Sequence, residues 1–252
     1  WHELFVPRGL TVENITNMLR QLASRPQLGW RARTPQIVIE QWGTPQGIRF
    51  LIGVERLLGD AFVRRLAASV PGLVVRPLDP SSSPRLPLRV GRDVRLTSVA
   101  ATLRTDVAAE ISGAIGHALA TAGNESVVMQ WVFGPGQGRR HEPETFSVSE
   151  RLGFSTPRPP SAVDQSAWRQ KASEPLYAVR GRIGTTGNAG TLSALGAAIQ
   201  LADSARGVLT VGRPTPGVAR AIMHATSKRW SLIVSALEAA VLLGWPIDGV
   251  DG

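Results

Sequence analysis

Cysteine is absent from the 252 residues. That excludes a disulfide framework and any thiolate chemistry. Lysine is almost absent too, with only Lys171 and Lys228, so the net charge of +9 is carried by arginine. Histidine is sparse: His2, His117, His141 and His224 lie far apart, and no pair has a metal-ligand spacing such as H-E-x-x-H. No apolar run reaches the ~18 residues that a membrane-spanning helix requires. The longest, Leu232 to Leu243, is broken by Ser235 and Glu238. Carboxylates are few, no pair of them suggests acid–base work, and nothing like G-x-S-x-G places a nucleophile. No catalytic residue, cofactor site or metal site is expected.

What is present is a globular composition, with 43% hydrophobic residues and a length that suits one large or two ordinary domains. The arginine excess has two readings. One is codon bias, since alanine, glycine and proline are abundant as well. The other is recognition of phosphate or carboxylate through the planar guanidinium fork. There are seven tryptophans, and Trp30, Trp168, Trp230 and Trp245 fall near expected element ends or loops. They suit buried anchoring or an interface.

The hydrophobic spacing repeats one order of elements. Residues 2–6 alternate as a short strand. Thr11 caps a helix whose Val12, Ile15, Leu19 and Leu22 share a face. Ile37–Ile39 and Ile48–Ile52 read as strands joined by a five-residue turn, Gly43–Gly47. Residues 56–69 form a second helix and Leu73–Arg76 a fourth strand. Asp79-Pro-Ser-Ser-Ser-Pro84 is a linker by composition. From 86 the same order returns: an extended stretch to Thr105, a helix at 106–122, a strand from Ser126 to Phe133, a strand from Tyr177 to Ile183, a helix at 190–205 and a strand at 208–211. Residues 134–173 lack periodicity and read as a long inserted loop. Two further helices are expected at 216–229 and 231–243.

The expected fold class is therefore α+β: two tandem ferredoxin-like βαββαβ domains with a C-terminal helical extension. The boundaries are 1–79, a linker at 80–85, 86–213 with its insertion at 134–173, and 214–252.

Three stretches invite a binding role. Gly184-Thr-Thr-Gly187-Asn-Ala-Gly190-Thr191 joins a strand to a helix, where backbone amides can hold phosphate. It lacks the P-loop lysine, and turn chemistry with a cap from Asn188 or Thr191 explains it as well. Gly134-Pro-Gly-Gln-Gly138-Arg139-Arg140-His141 opens the insertion with a basic loop suited to a nucleic-acid backbone or simply to water. Arg85, Arg89, Arg92 and Arg95 cluster near the first strand of the second unit. Strand alternation puts Arg89 and Arg95 on one side and Arg92 on the other. The contact candidates for DNA or a partner are thus Arg85, Arg89, Arg95, Arg139 and Arg140.

The phrases Gln36-Ile-Val-Ile-Glu40, Gly47-Ile-Arg-Phe-Leu-Ile-Gly53 and Phe62 to Val75 resemble the N-terminal region of large conjugation ATPases of high-GC Gram-positive bacteria. These belong with type IV secretion coupling proteins and FtsK/HerA-type motors. The closing Gly244-Trp-Pro-Ile-Asp-Gly249 resembles the lead-in to their RecA-like motor. The chain starts at Trp1 without Met and stops in a loop, so it reads as an excised segment.

The resemblance implies a non-catalytic assembly and docking module, with DNA recruitment as a secondary role. It also implies protein partners in a membrane-associated secretion complex, homo-oligomer contacts, and a cytoplasmic location that extends to the inner face of the membrane. The motor motif G-x-x-x-x-G-K-S/T is missing from these 252 residues, so no catalytic residue carries over. The alternative is a stand-alone basic nucleic-acid-binding protein.

Overall fold

Why one sheet face is dry and the other polar follows from strand alternation. In the computed structural model, which describes residues 1–26, 33–98, 101–137 and 162–247, the chain runs β1 (His2–Phe5), α1 (Val12–Gln21), β2 (Ile37–Thr44), β3 (Gly47–Val54), α2 (Gly59–Ala68), β4 (Val74–Pro77), β5 (Val90–Leu96), α3 (Ala108–Ala120), β6 (Val127–Gln137), α4 (Ala162–Ala172), β7 (Leu176–Thr185), α5 (Leu192–Gln200), β8 (Leu209–Val211), α6 (Pro216–His224), β9 (Leu232–Ser235) and α7 (Ala236–Leu243). Successive side chains of a strand point to opposite faces. Ile37 and Ile39 of β2, Met129, Trp131 and Phe133 of β6, and Tyr177, Val179 and Ile183 of β7 enter one large core with α1, α2, α3, α5 and α7. The alternate positions face away. Only a small apolar cluster forms there, from Trp42, Leu51 and Val128 with Ile222 of α6.

The nine strands make a single mixed-connection, wholly antiparallel sheet in the order β4-β1-β3-β2-β6-β7-β5-β8, with β9 also on β7. The two sequence runs expected as 1–79 and 86–213 meet inside this sheet. β2 pairs with β6 from Ile37↔Phe133 to Gly43↔Val127. A direct approach makes this possible at Gly43, where a Cβ would lie 2.2 Å from the carbonyl oxygen of Leu119 in α3.

Several elements differ from the sequence-based expectation. The β2–β3 hairpin turns in two residues rather than five, because Gly47 adopts φ 122 and lets Thr44 pair with Gly47. Among its described residues the extended stretch before α3 contains a strand only at Val90–Leu96. Part of the expected loop at 134–173 is regular: β6 continues to Gln137, and Ala162–Ala172 is a helix; residues 138–161 lie outside the described residues. The helix expected at 216–229 ends at His224, where Ala225 turns left-handed at φ 54. The helix expected at 231–243 is a strand, Leu232–Ser235, followed by the helix Ala236–Leu243. Ser235 and Glu238 form a capping box that starts the helix directly at the end of β9.

The β8 edge is covered at Leu209 by side chains from the end of α5 and the turn after it. The amide of Leu209 donates to Asp203 (2.6 Å), and its carbonyl accepts from Gln200 (2.9 Å). Backbone groups satisfied in this way offer no template for another strand.

Candidate functional site

The sheet face turned away from the helices carries a polar row. Register alone aligns it: Glu40 lies opposite Gln130, Gln130 opposite Arg182, and Arg182 opposite Asp93. Four neighbouring strands thus bring four polar side chains to one level. Glu40 and Gln130 are fully buried, and Arg182 is 5% exposed.

Burial of such groups is tolerable only when they are paired, and here the partners are specific. Glu40 accepts from Trp42 Nε1 (2.8 Å) and Gln130 Nε2 (2.7 Å) and lies 3.4 Å from Arg85 Nε. Arg182 Nη1 donates to Gln130 Oε1 (2.9 Å). Asp93 pairs with Arg180.

α6 is laid over this row, and the row holds its C-terminal end. Thr215 caps the start by accepting from the amide of Val218, and Pro216 occupies the first turn, where a missing N–H costs nothing. At the other end the last carbonyls meet cations, those of Ala221 and Ile222 while also accepting from the Ala225 amide. Arg182 donates to Ala221 O (3.0 Å) and Thr226 O (2.9 Å). Arg85 donates to Ile222 O (3.2 Å) and Met223 O (2.9 Å). Gln130 Nε2 also reaches Ile222 O (2.8 Å). Positive charge at a helix C-terminus is favourable, so these side chains fasten α6 by polar bonds, with Val218, Ile222 and Met223 supplying a modest apolar contact.

Burial sets the protonation behaviour. It raises the pKa of Glu40, against the opposing pull of Arg85, Trp42 and Gln130. It lowers that of Arg182 to about 10, with the charge of Arg180 acting in the same direction and Asp93 opposing, so the guanidinium stays charged at neutral pH. Burial lowers Arg85 as well, opposed by Glu40.

A folded-state pKa above the ordinary 4.5 means that Glu40's contribution to stability is complete below pH 4.5 and is lost as pH rises through the raised value. Glu40→Gln removes that titration. Urea midpoints of the two proteins at successive pH values above 4.5 are expected to shift progressively in favour of the variant; a difference that does not change with pH contradicts the assignment.

A cavity of about 610 Å³ opens beside the row, lined by Trp1, Arg33, Gln36, Val38, Glu55 and Lys228 among others. Most of its polar groups are already engaged. Arg33 and Glu55 form a two-pronged ion pair (2.9 and 2.7 Å). The Gln36 amide both donates to and accepts from the Ser227 backbone (2.6 and 2.9 Å). The Trp1 indole packs on Gly53 and lies 3.8 Å beneath the Arg85 guanidinium.

The second buried polar centre is Lys171, whose Nζ is 3.0 Å from Glu238 and donates to Ala101 O. Burial lowers its pKa, against the pull of Glu238. Its bonds tie α4 to α7 and to the chain at Ala101, which is a structural task.

The glycine-rich connection 184–191 does not present an open phosphate cradle. Thr191 donates to the carboxylate of Glu125, and a Cβ at Gly187 would overlap that same carboxylate. An internal anion sits beside the turn, and Asn188 accepts from the Gly190 amide (2.8 Å).

Of the five contact candidates read from the sequence, Arg85, Arg89 and Arg95 lie among the described residues. Arg85 is turned inward onto Glu40 and Trp1, with its side chain 10% exposed. Arg89 and Arg95 are exposed, and Arg95 is 4.0 Å from Asp93. Arg92 points to the opposite side and donates to Ala189 O (3.2 Å). Arg139 and Arg140 lie outside the described residues, as does Trp30. Trp168 and Trp245 are buried anchors, and Trp230 packs on Gly134.

Sequence reasoning missed Glu40, Gln130 and Arg182. Each was visible as a polar residue inside an apolar strand, in IVIEQW, VVMQWV and VRGRIG. Among the described residues no group of three or more His, Cys, Asp or Glu is placed to hold a metal ion, and no helix is long and apolar enough to cross a membrane. No protein-family profile, curated protein or solved structure matches the chain.

Proposed function

We propose that this chain is a non-catalytic assembly and docking module of a conjugative DNA-transfer ATPase, working on the cytoplasmic side of a membrane-associated complex, with DNA recruitment as a second task. In this reading the fold is a pair of ferredoxin-like units fused edge to edge. The relative strand order supports it: β4-β1-β3-β2 in the first run and β8-β5-β7-β6 in the second are the same order, joined through their second strands.

The observation that carries the reading is how the buried charges are used. Glu40, Arg85, Arg182, Lys171 and Glu238 all bind neighbouring elements of the fold. A reaction site instead needs convergent polar groups directed at a ligand cavity. A rigid platform built from internal polar clasps suits assembly.

The test has two parts. The coding sequence beyond Gly252 should contain G-x-x-x-x-G-K-S/T, and deleting residues 1–252 from that product should abolish its assembly while leaving ATP hydrolysis measurable. A downstream sequence without that motif sinks the reading.

The alternative, a basic nucleic-acid-binding protein, is favoured by one feature. Residues 204–237 contain Arg206, Arg213, Arg220, Lys228 and Arg229 and no Asp or Glu.

A further inference from the structure

That acid-free run is also the segment that crosses the polar sheet face. It leaves β8 alongside β5, where Gly212 donates to Asp93 O (2.8 Å) and Thr215 exchanges hydrogen bonds with Gly91. It passes over β7 and β6 as α6, reaches β2 at Ser227 through Gln36, and returns to β7 and β5 at Ser231. The cations along it point outward. Ala219 and Ile222 of α6 are buried against the sheet, so Arg220 lies on the opposite side of the helix, and Arg213, Lys228 and Arg229 are exposed as well. Arg89 and Arg95 of the neighbouring strand add to the same face. The acids beneath are neutralised: Asp93 by Arg180, Glu40 by Arg85 and Glu55 by Arg33.

We infer that this segment forms a binding surface for the phosphate backbone of nucleic acid, with Arg213, Arg220, Lys228 and Arg229 as its principal contacts. Two features select this partner. Among the described residues the exposed large apolar side chains all lie outside 209–235, and Trp1, which lines the cavity beside Lys228, has its ring covered by the Arg85 guanidinium. A protein interface or an inserted membrane helix draws on an apolar or aromatic centre, whereas a phosphate backbone is bound through charge alone. The cations are also mostly arginine, whose fork matches phosphate oxygens.

The inference rests on the recruitment task of the proposed function, and its failure leaves the assembly task, tested by deletion from the longer product, standing. The experiment is fluorescence anisotropy of the 252-residue chain with labelled single- and double-stranded DNA across a salt series. Two triple variants of equal charge are compared, each confirmed as folded by circular dichroism. One is Arg213→Ala with Arg220→Ala and Arg229→Ala. The other is Arg8→Ala with Arg64→Ala and Arg65→Ala, all exposed, the last two on α2, which packs on the opposite face of the sheet.

The first triple should weaken duplex binding by about tenfold or more and reduce the slope of log affinity against log salt by about 0.9 per contact removed; the second should leave both close to wild type. Equal losses in the two triples, or no binding at low salt, overturn the inference. So does binding to vesicles of anionic phospholipid without binding to DNA.

Discussion

Glu238→Ala is expected to destabilise the protein by about 3–5 kcal/mol, the range measured when one member of a buried ion pair is removed. The carboxylate serves three elements at once. It accepts from the Ser235 amide (2.9 Å) at the start of α7, from the Leu103 amide (2.8 Å), and pairs with Lys171 on α4 at 3.0 Å. Both members of the pair are almost fully buried. Alanine leaves the ammonium group with Ala101 O as its remaining partner and strips two backbone amides of their acceptor. Small proteins have only about 5–15 kcal/mol of net stability, so this loss is a large fraction of the total and is readable from urea denaturation. Adding Lys171→Met to Glu238→Ala should recover part of it, because the uncompensated charge is then gone. A cost under about 1 kcal/mol for the single variant, or no recovery in the double, shows that the pair is not closed in solution.

The order of elements in the two runs was legible because it depends on local spacing. Val12, Ile15 and Leu19 mark one helix face, and Val107, Ile111 and Ile115 another, whatever the rest of the chain does. What was not legible is non-local. Nothing near Ile37–Thr44 announces that its free edge pairs with Val127–Phe133, so the runs looked like separate domains joined by 80–85, whereas their strands share one sheet.

The β9–α7 pair shows a different limit. Leu232 to Leu243 is apolar almost throughout, and a buried strand followed by a buried helix has no clear period. The S-x-x-E spacing of Ser235 and Glu238 was the available clue. The polar row failed for a similar reason. Glu40, Gln130 and Arg182 are 90 and 52 residues apart in successive steps along the chain, and only register makes them neighbours. The inward turn of Arg85 was not legible because the residue precedes β5. Strand alternation does not govern it, and the pull of buried Glu40 and the Trp1 ring does.

Arg182→Met tests whether the row truly fastens α6. Methionine fills a similar apolar stem volume but donates nothing. Thr226 O and Gln130 Oε1 lose the guanidinium as donor, and Ala221 O keeps only the Ala225 amide. A hydrogen bond to a charged group contributes about 1.5–3 kcal/mol, and these three share one guanidinium, so a combined loss of about 3 kcal/mol is expected. The loss should be local in the first instance. Arg85 and Gln130 still reach Ile222 and Met223, while β6 and β7 keep the large core on their other face.

Hydrogen exchange should therefore show faster opening of the amides of α6, with those of Val128–Phe133 much less affected. If Arg213, Arg220 and Arg229 act together as a surface, loosening α6 should also weaken DNA binding without any change to the contacting residues. Unchanged exchange at α6 means that Arg85, Gln130 and the apolar contacts of Val218, Ile222 and Met223 hold the helix without Arg182, which contradicts the fastening role given to that residue.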